Sequence, residues 1–327
     1  MRLQRFHVAR CGLLISVAGI AISLLGVANA APERSISAES DGAKSLHETF
    51  AVAATARIEI ENVRGSVVIT GWDRAEVELG GSLGGGSKLE ISSASQQLKL
   101  QVVSESSSWF GGNGPKHASD LILHVPQSAR LDLHVISADA KVNGLAGASL
   151  KVAGVSGKLD IDSAAADIDV TSVSGDIALS VPTAAVTTRV HIQSVSGDIG
   201  AKGLSGRIKL ETVSGNLDLT DARVQELETG SVSGDARISV ALLPQARLHL
   251  ESMSGDIHAQ LPTILSAHID ASTFSGNVGS DYGSVANKRH GPGSSLKANL
   301  GAGDAQISVQ TFSGDIELRK GAHSSSK

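Results

Sequence analysis

The chain is poor in the residues that usually brace an extracellular domain. It has one cysteine, Cys11, so it cannot close an internal disulfide. Aromatic residues make up 2% of the sequence, and only 7 of the 327 residues are proline. A core without disulfides and with few rings has to be filled by Val, Ile, Leu and Ala, which suits narrow stacked β structure. No long helix is predicted, because Gly, Ser, Asp and β-branched residues recur too often.

Basic residues are outnumbered by acidic ones, 28 to 33, which gives a formal net charge of −5. An acidic balance disfavours nucleic acid and anionic membrane surfaces as partners. Three of the arginines, Arg2, Arg5 and Arg10, precede an apolar stretch at 13–27, and Ala-Asn-Ala follows at 28–30. This pattern predicts a secretory signal peptide at 1–30, cleaved after Ala30, with an uncleaved anchor as the alternative.

The signal peptide would direct export to the periplasm or the medium. Its removal would leave a formal net charge of −8. No later stretch is long and apolar enough to span a membrane.

Catalytic and metal-binding motifs are missing as well. There is no Gly-x-Ser-x-Gly elbow, no phosphate loop and no pair of histidines at metal-ligand spacing. His124 and His134 occupy outward-facing strand positions. We therefore assign no catalytic, cofactor-binding or metal-ligating residue and expect no cofactor.

The densest acidic patch is expected on a single solvent-exposed face, because its carboxylates alternate with apolar residues. A solvated strand face is the simpler interpretation, and the carboxylate pair of a polysaccharide-active enzyme is the alternative. The four residues are Asp160, Asp162, Asp167 and Asp169.

A repeated hexapeptide dominates the rest of the chain. It reads Ser-Val-Ser-Gly-Asp-Ile at 172–177 and 194–199, Ser-Met-Ser-Gly-Asp-Ile at 252–257 and Thr-Phe-Ser-Gly-Asp-Ile at 311–316. Looser copies, which include 203–208, place the repeat glycines at Gly157, Gly175, Gly197, Gly206, Gly215, Gly234, Gly255, Gly276 and Gly314.

The glycine spacing indicates a period of about 20 residues, at the short end of the range for repeat proteins. Units this small cannot bury an apolar face alone and must stack on their neighbours. Copies with Ala in place of Gly are expected near Ala138 and Ala166, and a degenerate first copy at Gly65. We predict an all-β fold, a β-solenoid built from coils of about 20 residues.

Within the repeat, we expect the glycine to allow a tight corner and close approach of neighbouring coils. The apolar residue before Ser-Gly and the one after the acidic position are both expected inside. The carboxylates are turn residues in the simplest interpretation. Calcium binding is the alternative, but Lys158, Arg207 and Asn216 occupy the acidic position in some copies, and a cationic side chain cannot ligate calcium.

The repeat also divides the chain. Residues 31–49 are predicted to be a flexible linker, 50–135 an irregular N-terminal β section or cap, 136–320 the repeat solenoid and 321–327 a disordered tail. Interaction is most expected in the loops that interrupt the repeat, because loops carry function on rigid scaffolds. The candidate contact residues there are Trp109, Phe110, Tyr282 and His290.

The run from Asn62 to Asp73, followed by the many Ser-Gly-Asp-Ile copies, resembles a bacterial family of β-strand-repeat proteins known as the "putative adhesin" family. The resemblance covers roughly residues 50–319, implies an exported solenoid and supplies no catalytic residue. We expect a non-enzymatic scaffold for adhesion or cell-envelope assembly, whose partner is an unknown envelope protein or glycan. The alternatives are a polysaccharide-active enzyme and a periplasmic regulatory binding module.

Overall fold

The computed structural model describes residues 33–39, 42–104, 117–182, 189–287 and 293–321. Within these ranges the protein is all-β, without a helix, and its 24 strands form one continuous hydrogen-bonded sheet. In chain order the strands are β1 (Glu33–Ser37), β2 (Lys44–Ala51), β3 (Arg57–Trp72), β4 (Glu76–Leu83), β5 (Ser87–Ala94), β6 (Gln97–Ser104), β7 (Ser119–Pro126), β8 (Arg130–Leu145), β9 (Ser149–Ser156), β10 (Leu159–Ser163), β11 (Asp167–Ser174), β12 (Ile177–Ser180), β13 (Arg189–Ser196), β14 (Ile199–Lys202), β15 (Ser205–Ser214), β16 (Leu217–Ser233), β17 (Ala236–Ser254), β18 (Ile257–Leu261), β19 (Ala267–Ser275), β20 (Val278–Ser280), β21 (Ala286–Asn287), β22 (Ser294–Leu300), β23 (Ala305–Ser313) and β24 (Ile316–Lys320).

The central strands stack in parallel and in register. Strand β13 pairs with β11 on one side and β15 on the other, and β14 likewise pairs with β12 and β16. A long strand such as β13 is joined to a short strand such as β14 by a Ser-Gly-Asp corner. We call one long strand, its corner and its short strand a rung.

The corners of the rungs form a single column. Each corner residue lies against the backbone of the preceding corner, in the order Gly65, Ala138, Gly157, Gly175, Gly197, Gly215, Gly234, Gly255, Gly314 and Gly276. The expected copies at Gly65 and Ala138 therefore occupy corner positions. Ala166 and Gly206 do not, because they lie at the start of the long strands β11 and β15, on the opposite side of the rung. These two residues produce the nine-residue half-period of the sequence.

At both ends of the stack the order in space differs from the order in the chain. The last rung, β23 with β24, lies between the rung of β17 and β18 and the rung of β19 and β20. Likewise, β3 lies between β8 and the pair β6 and β7. Antiparallel strands then cover the ends, with β22 on β19, β5 on β6 and β4 on β7.

The prediction of a flexible linker at 31–49 is wrong over most of that range. Strand β1 pairs with β5, and β2 pairs with β4. Two of its apolar residues, Ala38 and Leu46, are buried in the core because they cover the end of the stack. The predicted signal peptide at 1–30 and the tail residues 322–327 lie outside the described residues.

One hydrophobic core runs through the stack. It is filled by every second side chain of each strand. In β13, Val190 and Ile192 are buried while His191 and Gln193 face outward. The residue that opens each short strand is buried, as the repeat predicts, in Leu159, Ile177, Ile199, Leu217, Ala236, Ile257, Val278 and Ile316. Each buried Val, Leu or Ile contributes roughly 1.5–3 kcal/mol to stability.

Candidate interaction surface

The corner reverses the expected pattern of burial. The sequence predicts that the apolar residue before Ser-Gly is buried, and this is wrong for the corner rungs. In β13, alternation from Val190 and Ile192 places Ser194 inside and Val195 outside. The neighbouring rungs repeat this arrangement, because they pair in register.

Small hydroxyl side chains fill the inside of the corner. They form a buried column of Ser172, Ser194, Thr212, Ser231, Ser252, Thr311 and Thr273. The space is narrow: a Cβ added to Gly154, in the same column, would lie 3.3 Å from the Leu159 side chain. Hydroxyls bind the corner backbone where geometry allows, as when Thr273 donates to the carbonyl oxygen of Gly314 at 3.0 Å. From Gly154 onward the inside of the corner is therefore lined by small side chains, and Val135, one rung earlier, is a buried apolar member of the same column.

The apolar residues one position later in each strand face outward and form an unbroken row, which we call the ridge. Its exposed fraction reaches 41% at Val173, 49% at Met253, 58% at Phe312 and 53% at Phe274. In stack order the ridge consists of Val63, Ile136, Val155, Val173, Val195, Val213, Val232, Met253, Phe312 and Phe274. Neighbouring strands lie about 4.8 Å apart, so the ridge is about 43 Å long.

The largest side chains of the ridge lie together at one end. The rings of Phe274 and Phe312 stack with centroids 4.8 Å apart and an interplanar angle of 4°. Met253 lies on the next rung. Aromatic residues and Met are enriched at the centres of protein interfaces, and contiguous exposed apolar patches mark binding surfaces.

A file of nine exposed serines runs beside the ridge. These serines directly follow the ridge residues in the chain and pair with one another from rung to rung. They are Ser137, Ser156, Ser174, Ser196, Ser214, Ser233, Ser254, Ser313 and Ser275. The ridge therefore has a neutral polar margin on its corner side.

Beyond the serines, the acidic position of the repeat forms a hydrogen-bonded ladder. The backbone N–H of Asp198 donates to Oδ1 of Asp176 at 3.0 Å, and that of Asn216 donates to Oδ1 of Asp198 at 2.7 Å. Bonds of this kind continue through Asp235, Asp256, Asp315 and Asn277. These side chains satisfy backbone donors of the next rung, which explains why Asn can replace Asp. We call Asp139, Asp176, Asp198, Asp235, Asp256 and Asp315 the acidic file.

The outer face of the long strands is polar and largely ion-paired. Lys209 lies 3.1 Å from Glu211 and 3.3 Å from Glu228. Burial raises the pKa of Glu211, but hydrogen bonds from Gln193 and Lys209 outweigh it and hold that pKa below its usual value. Over the described residues, this face presents charge pairs in place of an apolar row.

An open groove of about 700 Å³ lies on this face near the last rungs. Its polar residues also contact one another: Lys297 lies 2.8 Å from Asp270, and Nδ1 of His268 lies 2.6 Å from Oδ1 of Asn299. In the described part of the chain, no three His, Cys, Asp or Glu side chains are grouped so that they could hold a metal ion.

The predicted contact residues do not coincide with the ridge. Trp109, Phe110 and His290 lie outside the described residues. Tyr282 is only 7% exposed, and its hydroxyl donates to the carbonyl oxygens of Leu261 at 2.9 Å and Pro262 at 3.0 Å. Burial raises the Tyr282 pKa to about 12. Tyr282 therefore closes the end of the stack, and the prediction of it as a contact residue is wrong.

The acidic patch is not assembled on one face, contrary to expectation. Asp160 and Asp162 lie on the short strand β10, whereas Asp167 and Asp169 lie on the long strand β11, which pairs with other strands. Asp160 and Asp167 are also near cations, Lys141 at 3.7 Å and Arg189 at 3.9 Å. The chain turns between the two pairs, and this turn is what the sequence pattern alone misses.

Of the two histidines expected to face outward, both contact neighbours. The His124 ring stacks on Trp72 with centroids 5.2 Å apart. His134 is half-buried and lies 3.0 Å from Asp132. The hydrogen bond that His134 donates to the Asp132 carboxylate raises the His134 pKa, although burial opposes this effect.

Fold and surface together define a protein of stacked β repeats with an exposed apolar corner. The family model described as Toastrack DUF4097 matches residues 55–319, and the chain belongs to this family. The resemblance to the "putative adhesin" family is thereby confirmed. No curated protein matches the chain. In the described part of the chain, no helix has the length and apolarity needed to cross a membrane.

Three solved structures are similar over most of the chain. One is a "putative cell adhesion protein" from Clostridium sporogenes, with 9% identity over 85% of this chain and 100% of that chain and a TM-score of 0.23. Another is a "putative adhesin" from Bacteroides fragilis, with 13% identity over 84% and 97% and a TM-score of 0.38. A third is a "putative lipid binding protein" from Parabacteroides distasonis, with 12% identity over 86% and 99% and a TM-score of 0.43. At these sequence identities and TM-scores, the functions named for the three neighbours are not assigned to this chain.

Proposed function

We propose that the protein is an exported, non-enzymatic β-solenoid scaffold whose ridge docks a partner in adhesion or cell-envelope assembly. The observation that carries the proposal is the ridge itself, an apolar row of ten residues of which five are exposed and five are half-buried. At the exposed positions an apolar side chain adds little to the core, because it faces solvent. Its repetition along the stack is therefore better explained by contact with another molecule than by folding.

The solenoid supports this role mechanically. Each rung is held by parallel pairing on both sides and by the bond from the acidic file. Side chains on such a stack stay at fixed spacing, so a partner meets a preorganised surface and little conformational entropy is lost on binding. Export to the periplasm or the medium remains part of the proposal and follows from the predicted signal peptide.

The polysaccharide-active alternative has less support. Its candidate carboxylates are divided between two strand stacks, and two of them lie near a cation. A hydrolase requires two carboxyl groups that flank one glycosidic bond. Incubation with uronate-rich and neutral glycans tests this alternative: turnover that Asp160→Asn or Asp162→Asn abolishes would favour an enzyme over the scaffold.

The scaffold proposal is tested by site-specific photo-crosslinking in cells that produce the full chain. A crosslinking residue replaces Met253 or Phe312 on the ridge, or Ile264 as a control, which is 85% exposed but lies away from the corner. We expect the same discrete adduct from both ridge positions and none from Ile264. Equal adducts from all three positions, or none from the ridge, would contradict the proposal. Fractionation of the same cells tests export.

A further inference from the structure

We propose that the partner of the ridge is a basic amphipathic segment, with apolar residues on one side and Lys or Arg on both flanks. This inference rests on the proposed role of the ridge as a docking surface. It adds the chemistry of the occupant, which follows from the charges on either side of the ridge.

The charged side chains in the two files that flank the ridge are negative along the part of it from Val173 to Phe274. There the corner position carries Asp176, Asp198, Asp235, Asp256 and Asp315, interrupted only by Asn. On the long-strand side, the outward positions next to the ridge include Glu211 and Glu251. Neither of these two files carries Lys or Arg along this part of the ridge, although Arg64 and Lys158 do occur nearer its other end.

The acidic residues on the two sides of the ridge differ in how far neighbouring cations neutralise their charge. Glu211 and Glu251 pair on their own face, with Lys209 at 3.1 Å and His249 at 2.8 Å. In the acidic file, Oδ1 accepts a backbone N–H, and this bond leaves the carboxylate charge in place. Asp235 shows how the second oxygen can be used, because the Arg237 guanidinium lies 3.7 Å from its Oδ2. A partner that carries Lys or Arg could make the same contact at the other rungs.

These charges argue against two other occupants. If two copies packed ridge to ridge, the acidic file of one copy would face either the acidic file or the Glu-bearing margin of the other. Like charges placed across an interface weaken binding. An anionic lipid surface is disfavoured for the same reason. A cationic segment instead gains attraction on the uncompensated side and buries its apolar residues on the ridge.

The size of the site sets the size of the probe. The seven ridge residues from Val173 to Phe274 span about 29 Å at the strand spacing. A helix covers this length with about 20 residues. The probe is therefore a Leu/Lys peptide of about 20 residues with one leucine face, compared with a Leu/Glu peptide of the same pattern and a Leu/Lys peptide of scrambled order.

The chain offers matched variants that separate apolar contact from charge. Replacement of Asp176, Asp198, Asp235 and Asp256 by Asn removes four charges but keeps the Oδ1 acceptor of the ladder, as Asn216 already does in the native protein. Phe274→Ser with Phe312→Ser removes the largest ridge contacts and keeps the charges. Ile264→Ser is the control for a lone exposed apolar residue.

We expect the full chain to bind the amphipathic Leu/Lys peptide in calorimetric titration and to bind neither comparison peptide. Each of the two variant sets should weaken binding about tenfold or more, whereas Ile264→Ser should not change it. Raising the salt from about 50 mM to about 500 mM should weaken peptide binding to the wild type more than peptide binding to the Asn variant. Salt screens the four carboxylate charges, which only the wild type carries.

Four results would overturn the inference. If neither variant set changes the binding of the Leu/Lys peptide, the peptide binds at a site other than the ridge. A ridge-dependent dimer in sedimentation would make a second copy the occupant, and ridge-dependent flotation with anionic vesicles would make it a lipid surface. If the crosslinked adducts of the preceding section persist while the peptide fails to bind, the docking function stands and only the basic partner is wrong.

Discussion

Inside and outside the corner, two columns one residue apart in sequence have opposite environments. Ser194 and Thr212 are buried beneath the corner, whereas Val195 and Val213 face outward. A hydrophobic core would normally take the Val and expose the Ser. The reversal follows from strand alternation, which faces Ser194 and Thr212 inward and Val195 and Val213 outward. It also leaves a repeated apolar row that folding does not require.

The strongest test of the tight corner is Gly197→Ala. A Cβ at this position would collide with the carbonyl oxygen of Gly175, and the φ angle of 145° is unfavourable for an L side chain. We expect the free energy of unfolding to fall by about 2–4 kcal/mol in urea denaturation. Gly200→Ala is the control, because the nearest atom to its added Cβ is 3.9 Å away. Equal effects of the two substitutions would contradict the close packing of corners.

A substitution pair distinguishes the two columns directly. Thr212→Leu should destabilise the protein by about 1–3 kcal/mol, because the corner cannot hold the extra volume. Val213→Thr, one residue later, should stay within about 0.5 kcal/mol of the wild type, because the position faces outward. Both are measured by urea denaturation, and a larger loss from Val213→Thr would reverse our assignment.

Thr212→Val sharpens this comparison. The Thr212 hydroxyl is buried without a hydrogen-bond partner. Valine has nearly the same shape and removes this cost, so we expect stability equal to or above that of the wild type. A loss of more than about 1 kcal/mol would mean that the hydroxyl is bonded in solution.

The acidic file should contribute a smaller stabilisation. Asp198→Ala removes the acceptor for the Asn216 N–H and should cost about 1 kcal/mol, whereas Asp198→Asn keeps the acceptor and should cost much less. The two variants are compared by thermal unfolding. If Asn is as harmful as Ala, charge rather than hydrogen bonding holds the ladder.

The smallest effect is expected from the polar outer face, through His134. Its pKa is raised in the folded state, so its contribution is fully present below the unfolded value of about 6.5 and is lost as pH rises through the folded value. We expect His134→Gln to lower stability by less than about 1 kcal/mol near pH 5.5 and to have no effect near pH 8.5. Urea denaturation at both pH values measures this, and a larger effect at high pH would contradict the assigned sign.

Much of the fold could be predicted from the sequence because the repeat is strict. The period, the all-β class, the glycine corner and the buried residue that opens each short strand depend on local patterns such as Ser-Gly-Asp-Ile. The strand β13 also contains the signal for the ridge. Alternation counted from Val190 and Ile192 places Val195 outside, but the general preference for buried valine suggests the opposite.

Other features depend on contacts far apart in the chain. The insertion of β23 and β24 between earlier rungs cannot be inferred from a repeat whose copies are all alike. The pairing of β1 with β5 makes strands of a polar segment that resembles a linker. The separation of Asp162 from Asp167 depends on a turn at 164–166, which strand periodicity does not reveal.

Thiol labelling tests the central claim most directly. In a full chain with Cys11→Ser, single cysteines replace Val195 and Val213 on the ridge, or Ser194 and Thr212 beneath it, and the rate of reaction with a maleimide is measured in the folded protein. We predict that the half-buried ridge cysteines react in the folded protein much faster than the inner cysteines, which react only after urea is added. Protected cysteines at 195 and 213, with reactive ones at 194 and 212, would contradict the account.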